Sequence, residues 1–320
     1  MKRIYNIIFI GSTEFGVPAL SRLVSEGSFS VFVITQPDRK KGRGQKVLPT
    51  QIKEFALRNN LPVFQPQDIN SREAAEVLKK YNPDLILVVS YGKILRKQVL
   101  AIPKFGCINL HPSLLPKYRG PAPINWTLFN GEKETGNTIF FMNEKMDAGD
   151  IIYQGRRIPI LPEDNYGSLY KKLSIQGASD VIKAISLIDE DKAHPIPQDD
   201  SQATFSRFIT RDLRRINWYD SAQDIANRIR GLAPYPGAFT YLDEKEIKII
   251  EASPTEDDHP EEKPGTIVGL MKNQGVIIAT GEKALLVTRI KPAGKKEMSA
   301  YNFILGIPDF KTERVRFSSE

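Results

Sequence analysis

The sequence predicts an α/β protein with a mostly parallel sheet in its first part and a small β-barrel in its second. Strand-like and helix-like segments alternate up to residue 189, and short strands separated by glycine turns follow beyond about residue 205. A segment rich in Asp, Pro and Gln separates the two patterns. We therefore expect residues 1–189 to form one domain, 190–206 a linker, and 207–320 a second domain.

The first domain opens with a buried strand at residues 5–10 and a glycine turn at 11–16. Residues 17–26 have helical spacing of their apolar side chains, with a proline in the first turn, where proline is tolerated. Further strands are predicted at 30–34, 85–89, 107–110, 138–142 and 151–160, and further helices at 51–59, 71–81 and 168–189. This alternation favours a parallel sheet with helices on both faces.

The second domain is dominated by short strands. One amphipathic helix is predicted at residues 221–231. The strands are predicted at 245–251, 265–270, 275–279 and 284–290. Short strands joined by glycine turns are typical of a small barrel.

Composition excludes several classes of protein. Hydrophobic content of 41% and charged content of 26% are ordinary for a soluble globular chain, and the net charge is +7. One cysteine excludes an internal disulfide and fits a reducing cytoplasm. The apolar runs are strand-sized, far below the roughly 18 residues of a membrane span, so we expect no membrane partner. We expect a cytoplasmic monomer.

Asn109 and His111 lie at the end of a predicted strand, which Pro112 terminates. Side chains at i and i+2 of a strand share a face about 7 Å apart, so the amide and the imidazole project together. Strand ends are a common place for chemistry in open α/β sheets. An amide can donate to a developing oxyanion, and an imidazole can move protons near neutral pH. The alternative for His111 alone is a structural histidine.

Asp147 lies in a glycine-containing turn between two predicted strands. An aspartate in such a turn is usually only a turn-former. Together with Asn109 and His111, and without a serine or cysteine nucleophile motif, it indicates acid–base and oxyanion chemistry on a carbonyl. The three histidines are too scattered for a zinc site, so no metal is predicted. The turn at 11–16 matches neither nucleotide-binding glycine pattern.

The connection at residues 35–50 is long for a βα loop and strongly basic. Basic side chains among glycines, without aromatics, suit contacts with phosphates, whereas the alternative is a solvated loop. Further basic groups follow at residues 207–215 and 289–296. We therefore expect an extended polyanionic partner, contacted by Arg39, Lys40, Lys41, Arg43, Lys46, Lys295 and Lys296.

Several segments resemble a known family. They are FIGSTEFGVPAL, ITQPDRKKGRGQKV, VVSYGKIL, GCINLHPSLLPKYRGPAPI, MDAGD and KPAGKKEMSA. Along nearly its whole length the chain is similar to the folate-dependent formyltransferases. HPSLLP and MDAGD are common to that family, whereas the basic loop and KPAGKK point to its methionyl-tRNA formyltransferase branch. The chain departs from the pattern at Pro121 and Ser90, where alanine is frequent in the family, and neither position belongs to the catalytic set.

The resemblance implies a Rossmann-like first domain, an OB-type barrel and a reaction. The formyl group of 10-formyltetrahydrofolate, a co-substrate, would pass to the α-amine of methionine esterified to initiator tRNA. The catalytic set of the family maps onto Asn109, His111 and Asp147. Asn109 would donate to the oxyanion, His111 would stabilise it or protonate the departing nitrogen, and Asp147 would orient His111 and accept a proton. Folate contacts map onto Ser113, Leu114, Leu115, Pro116, Gly92, Ile94 and Leu95.

Two other functions fit parts of the sequence. The same scaffold could formylate a small amine, such as a nucleotide sugar or glycinamide ribonucleotide. The chain could also be a non-catalytic tRNA-binding protein. The basic loop argues against the first alternative, and the intact Asn109, His111 and Asp147 set argues against the second.

Overall fold

The structure is a computed structural model that describes residues 3–41, 46–307 and 315–318, with only the backbone of Lys41. The chain divides into two compact units. The first comprises Met1–Pro123, Glu134–Pro159 and Tyr170–Ser206. The second comprises Ile124–Lys133, Ile160–Leu169 and Arg207–Glu320.

The first unit is built on a twisted sheet that is mostly parallel. Its strands are β1 (Asn6–Gly11), β2 (Ser30–Ile34), β3 (Arg39–Lys41), β4 (Lys46–Leu48), β5 (Val63–Phe64), β6 (Leu85–Val89), β7 (Cys107–His111), β8 (Glu134–Thr135), β9 (Thr138–Phe141), β10 (Ile151–Gln154) and β11 (Ile158–Pro159). The main sheet has the order β10-β9-β7-β6-β1-β2-β5. Neighbours from β7 to β5 are parallel, whereas β9 pairs antiparallel with both of its neighbours, β7 and β10. The predicted α/β class is confirmed.

Helices connect these strands. They are α1 (Val17–Ser25), α2 (Gln51–Arg58), α3 (Arg72–Tyr81), α4 (Lys97–Leu100), α5 (Pro123–Phe129) and α6 (Tyr166–Asp189), with a 3-10 turn at Glu14–Gly16. All of α5 after Pro123 and the first turn of α6 belong to the second unit. The hydroxyl of Thr50 caps α2 and that of Ser71 caps α3, each accepting from a backbone N–H in the first turn. These caps explain why both helices begin within one residue of their predicted starts.

Helices cover both faces of the main sheet. On one face, Ile8 and Ile10 pack in a buried cluster with Leu78 of α3 and Val99 of α4. On the other face α6 lies directly on β7, because a Cβ added to Gly177 would come within 2.8 Å of Leu110. Alternate residues of β1 and β7 therefore face opposite helical layers. Asn109 and His111 share the face of Cys107, which belongs to the first cluster.

Some elements differ from the sequence-based predictions. The single strand predicted at 151–160 is wrong, because β10 joins the main sheet while β11 pairs with β8 in a separate two-stranded sheet. The break occurs at Gly155, where an added Cβ would lie 2.4 Å from the Asp180 carboxylate. Within the predicted loop 35–50, β3 and β4 pair antiparallel. Strands of two or three residues carry too little periodicity to be read from sequence.

The second unit is an antiparallel β domain, which confirms the predicted β-rich character of this part of the chain. Its helices are α7 (Arg211–Arg214), α8 (Ala222–Leu232) and α9 (Ala300–Leu305). Its strands are β12 (Ala238–Leu242), β13 (Lys245–Thr255), β14 (Ile267–Met271), β15 (Gly275–Ala279), β16 (Ala284–Pro292) and β17 (Met298–Ser299). The order is β12-β13-β16-β15-β14, with β17 on β16. β12 was absent from the prediction.

The core of the second unit lies between α8 and the curved sheet. Trp218 is buried in one cluster with Ile225 and Ile229, its ring lies 6.0 Å from that of Phe317, and its indole N–H donates to the Thr240 hydroxyl at 2.9 Å. β13 carries two register shifts on either side of Glu251, and such bulges bend a strand.

Residues 315–318 bond to both outer strands of this sheet. Ser318 and Tyr241 of β12 exchange backbone hydrogen bonds at 2.9 and 3.0 Å. On the other side, Ile267 of β14 donates to the Val315 carbonyl at 3.0 Å. The segment therefore satisfies backbone groups that would otherwise lie at open sheet edges.

No helix within the described ranges combines the length and the apolar character that crossing a membrane requires.

Candidate functional site

The carboxyl ends of the parallel strands β1, β2, β6 and β7 lie at one edge of the main sheet. Hydrogen bonds connect the residues that come after β1, β2 and β6. Ser12 donates its N–H to the Ser90 carbonyl at 3.3 Å, and its hydroxyl accepts from the Gln36 N–H at 3.1 Å. Open α/β sheets bind ligands at this edge, which makes it the candidate site.

Asn109 occupies β7 with Val88 and Phe140 as its strand neighbours. Its side chain is partly exposed, and its amide makes no hydrogen bond with any described residue. Backbone pairing on both sides holds the residue in place. The amide N–H groups are therefore free to donate to a bound molecule.

His111 ends the same strand and is 5% exposed. Its Nε2 lies 2.9 Å from the carbonyl oxygen of Tyr118. A carbonyl oxygen only accepts, so Nε2 carries a proton and the neutral ring has Nδ1 as its basic nitrogen. Nδ1 faces the Asp147 carboxylate, with Oδ2 at 3.8 Å.

Asp147 sits in the turn between β9 and β10 with a φ of 49°, in the left-handed region that aspartate tolerates. The carboxylate oxygen that faces His111 also accepts a hydrogen bond from the Gly120 N–H at 2.8 Å. The two residues that flank Arg119 therefore hold the pair in place, since Tyr118 is hydrogen-bonded to His111 and Gly120 to Asp147. The structure brings two of the three predicted catalytic side chains face to face, with Asn109 two positions away on β7.

The residues predicted to contact folate fall into a buried group and an exposed or partly exposed group. Three of their side chains are buried: Leu95, Leu115 and Ser113, whose hydroxyl donates to the Lys117 carbonyl at 2.7 Å. Leu115 is further fixed by its backbone N–H, which donates to the Thr138 hydroxyl at 3.1 Å. The exposed or partly exposed members are Gly92, Ile94, Leu114 and Pro116.

The predicted basic residues are exposed wherever the structure describes them. Arg39, Lys40 and Lys46 lie on β3 and β4, and Lys295 and Lys296 lie in the second unit. Arg43 and the side chain of Lys41 lie outside the described residues. Other basic groups of the second unit serve its own structure: Arg211 pairs with Glu246 at 2.7 Å, and Arg214 donates to backbone carbonyls.

The ends of the basic loop are fixed to the sheet. The hydroxyls of Thr35 and Thr50 are hydrogen-bonded at 2.7 Å in a buried position. Asp38 accepts from the Gln65 amide at 2.7 Å and from the Lys53 ammonium at 2.6 Å. These contacts, with that of Gln65 the larger, lower the pKa of Asp38.

The lowered pKa of Asp38 predicts a pH-dependent contribution to stability. The charged carboxylate stabilises the fold above its unfolded pKa of roughly 3.9, and this stabilisation is lost as pH falls through the lower folded value. We expect Asp38→Asn to lower the free energy of unfolding at pH 7. Below about pH 4 the free energies of unfolding of the variant and the native chain should become more similar. Urea unfolding at pH 7 and pH 3 measures this, and an equal difference at both would contradict it.

Two other kinds of site find no support in the described residues. Within those ranges no group of His, Cys, Asp and Glu side chains could hold a metal ion. Burial raises the pKa of the Cys107 thiol to about 12, which leaves it protonated and unreactive at neutral pH.

Three contributors to the site were not predicted from the sequence. The Tyr118 carbonyl and the Gly120 N–H are backbone groups, which every residue carries and which leave no signal in side-chain patterns. The third is Gln198, whose amide donates to the Asp147 carbonyl at 2.9 Å. It lies in the segment predicted as a linker.

Both parts of the chain are similar to known formyltransferases. The profile described as "Formyl transferase" matches residues 2–185, and "Formyl transferase, C-terminal domain" matches residues 208–308. The methionyl-tRNA formyltransferase of Alkaliphilus oremlandii is 42% identical over 94% of this chain and 96% of its own length. That of Halalkalibacterium halodurans is 45% identical over 94% of both.

The chain belongs to the methionyl-tRNA formyltransferase family. The motifs that carried the resemblance therefore identified it correctly.

Solved structures share the formyltransferase fold at lower identity. HypX from Aquifex aeolicus, in complex with tetrahydrofolic acid, is 19% identical with a TM-score of 0.62 over 97% of this chain, which spans 50% of that protein. An N-formyltransferase from Helicobacter canadensis, in complex with folinic acid and dTDP-3-aminofucose, is 20% identical with a TM-score of 0.63 over 89% of this chain and 99% of its own. These likenesses show the fold alone.

Proposed function

We propose that this chain transfers the formyl group of 10-formyltetrahydrofolate to the α-amine of methionyl initiator tRNA, with Asn109, His111 and Asp147 as its catalytic residues. The single observation that carries the proposal is the 3.8 Å approach of Asp147 to the buried ring of His111, two residues from Asn109, whose amide has no partner among the described residues. This constellation lies in a chain 42% and 45% identical to curated methionyl-tRNA formyltransferases.

Asn109 would stabilise negative charge on the formyl oxygen. The free methionine amine attacks the formyl carbon, and the carbonyl oxygen becomes an oxyanion. The Asn109 amide has no other partner among the described residues, so its N–H groups can donate to that oxygen. A preorganised donor of this kind contributes about 3 kcal/mol to the transition state.

His111 and Asp147 would move the proton. The attacking nitrogen becomes positively charged and must lose a proton, while the departing folate nitrogen must gain one. Nδ1 of His111 is the basic nitrogen, because Nε2 donates to the Tyr118 carbonyl. Once Nδ1 holds the proton, the Asp147 carboxylate opposite it stabilises the imidazolium. Release of that proton to the folate nitrogen returns the pair to its starting state.

Folate would bind beside this pair. Ile94, whose side chain is 67% exposed, together with Gly92, Leu114 and Pro116, would offer the apolar and backbone surface that a pterin ring requires. Leu95, Leu115 and Ser113 would support that surface from behind. The donor carries the one-carbon unit itself, so this proposal assigns no metal to the reaction.

The tRNA would be held by basic side chains of both units. Arg39, Lys40, Lys41, Arg43 and Lys46 would contact phosphates from the first unit, and Lys295 and Lys296 from the second. The second unit would act as an OB-type barrel, since residues 315–318 bond to both outer strands of its sheet. We assign formyl transfer to residues 1–189, the connection to 190–206 and tRNA binding to 207–320, in a cytoplasmic monomer.

Substitution of Arg43 tests the role of the basic loop. We expect Arg43→Ala to raise KM for methionyl-tRNA about tenfold while KM for 10-formyltetrahydrofolate stays within twofold, since a phosphate contact acts only on the nucleic acid. Initial rates with each substrate varied in turn measure this. Arg58→Ala is the control, because Arg58 is an exposed arginine of α2. Equal losses for both substrates would contradict the assignment.

One assay decides between the candidate functions. Purified protein is mixed with 10-formyltetrahydrofolate and, in separate reactions, methionyl initiator tRNA, a nucleotide amino sugar and glycinamide ribonucleotide. Formyl transfer to the tRNA alone is expected. Faster transfer to a small amine would favour the alternative enzyme, and no transfer to any acceptor would exclude catalysis.

A further inference from the structure

The segment 196–206 is bonded along its length to the two loops that contact His111 and Asp147. At its start, Ile196 and Ile151 exchange backbone hydrogen bonds at 2.8 and 2.9 Å. At its end, the chain runs beside Arg119, whose N–H donates to the Thr204 carbonyl at 2.9 Å and whose carbonyl accepts from Ser206 at 2.7 Å. This part of the chain is therefore a constituent of the first unit.

Gln198 connects these two loops through a single side chain. Its Nε2 donates to the carbonyl of Asp147 at 2.9 Å and to that of Gly149 at 2.8 Å. Its Oε1 accepts from Nε of Arg119 at 2.9 Å. Both amide hydrogens are used, so the orientation of the amide is fixed.

Arg119 connects Gln198 to the loop that contains Tyr118 and Gly120. Its side chain is 5% exposed, and its guanidinium pairs with the Asp200 carboxylate at 2.8 Å as well as with Gln198. A buried guanidinium needs such partners, because an unpaired charge in the interior is costly. Its chain neighbours, Tyr118 and Gly120, are the residues that bond His111 and Asp147.

We propose that Gln198 is a positioning residue for formyl transfer: by holding the Asp147 turn against Arg119, it keeps the Asp147 carboxylate opposite Nδ1 of His111. The inference rests on the proposed function. Gln198 contacts the backbone of Asp147 and Gly149, and acts on the reaction only through the Asp147 carboxylate. A displacement of about 1 Å at such a pair can cost on the order of a hundredfold in rate.

Two substitutions separate the contacts of Gln198. Gln198→Ala removes all three, whereas Gln198→Glu keeps an oxygen for Arg119 but has no hydrogen for the two carbonyls. If positioning of the turn matters, both variants lower kcat tenfold to a hundredfold, as order-of-magnitude values, and leave KM for folate within twofold. Near-native kcat in Gln198→Glu would overturn the proposal. Gln202→Ala is the matched control, because Gln202 is an exposed glutamine of the same segment.

A double-mutant cycle distinguishes positioning from general structural damage. If Gln198 acts through Asp147, then Gln198→Ala costs little further activity once Asp147→Ala is present, and the two losses are far from additive. Fully additive losses would overturn the proposal. Circular dichroism and thermal unfolding of each variant verify that the fold is retained.

A measurement without substrate separates this proposal from the proposed function. The chain has three histidines, so the ring signals of His111 can be assigned by NMR of the labelled protein. We expect Gln198→Ala to shift the His111 ring signals and to leave those of His259, in the second unit, unchanged. Unshifted His111 signals would overturn the positioning role even if formyl transfer were established. Shifted signals without any formyl transfer by the native chain would instead refute the proposed function.

Discussion

Asn109→Ala and His111→Ala are each expected to lower kcat at least a hundredfold, with folate binding nearly unchanged. Removal of one preorganised donor to an oxyanion costs on the order of a hundredfold to a thousandfold. His111 supplies the only ring nitrogen that faces Asp147 in the described site, so its loss removes the proton-transfer pair. Single-turnover rates, with folate affinity from fluorescence titration, measure the two effects separately.

The control for this pair is Asn59→Ala, because Asn59 is an exposed asparagine directly after α2 whose amide donates to the Phe55 carbonyl in the last turn of that helix. It is expected to turn over normally. Near-normal turnover in Asn109→Ala or His111→Ala would refute the corresponding role. A matched loss of folate affinity would indicate that the variant disturbs binding instead of the chemical step.

Gly149→Ala is expected to destabilise the first unit by about 3 kcal/mol or more and to abolish transfer. A Cβ on residue 149 would lie 1.7 Å from the carbonyl oxygen of Phe141, so the ends of β9 and β10 would have to separate. The same turn carries Asp147, and the Phe141 N–H closes it by donating to the Asp150 carbonyl at 2.9 Å. Urea unfolding and initial rates measure the two losses.

Gly27→Ala provides the comparison for this effect. Gly27 has a φ of 63°, but apart from its two chain neighbours no described residue has a heavy atom within 4 Å of an added Cβ, so the variant incurs a conformational cost of roughly 1 kcal/mol without a clash. If Gly149→Ala were no more destabilising than Gly27→Ala, the close packing of the turn against Phe141 would not be the reason for glycine there.

Most of the first unit could be predicted from the sequence because its local signals agree with its tertiary structure. β2 and β6 have the predicted bounds, since both are apolar runs ended by polar or turn residues. α3 begins after Ser71, a residue type that caps helices by its own chemistry. The prediction failed where an element ends because of a tertiary contact. The end of β10 depends on the approach of Gly155 to Asp180, which lies on α6, far along the chain.

The candidate site was predictable as a set of side chains, but its internal bonding was not. Strand periodicity predicts that Asn109 and His111 project together, and the MDAGD motif predicts Asp147 as their partner. The tautomer of His111 depends on the Tyr118 carbonyl, a backbone atom whose position only the folded loop determines. Gln198 lies in a segment whose composition resembles a linker, because its order comes from bonds to other loops and not from local periodicity.

The bonds of residues 315–318 to both outer strands of the second unit have a consequence for synthesis of the chain. The backbone of Tyr241 bonds to Ser318 and that of Gly265 to Phe317. In each pair the second residue is synthesised more than 50 residues after the first. While the chain is still growing, β12 and the residues preceding β14 therefore present unpaired backbone edges, which are prone to pairing with other chains. A nascent chain stalled before residue 315 should be captured by chaperones or aggregate, whereas one released after residue 318 has both edges covered.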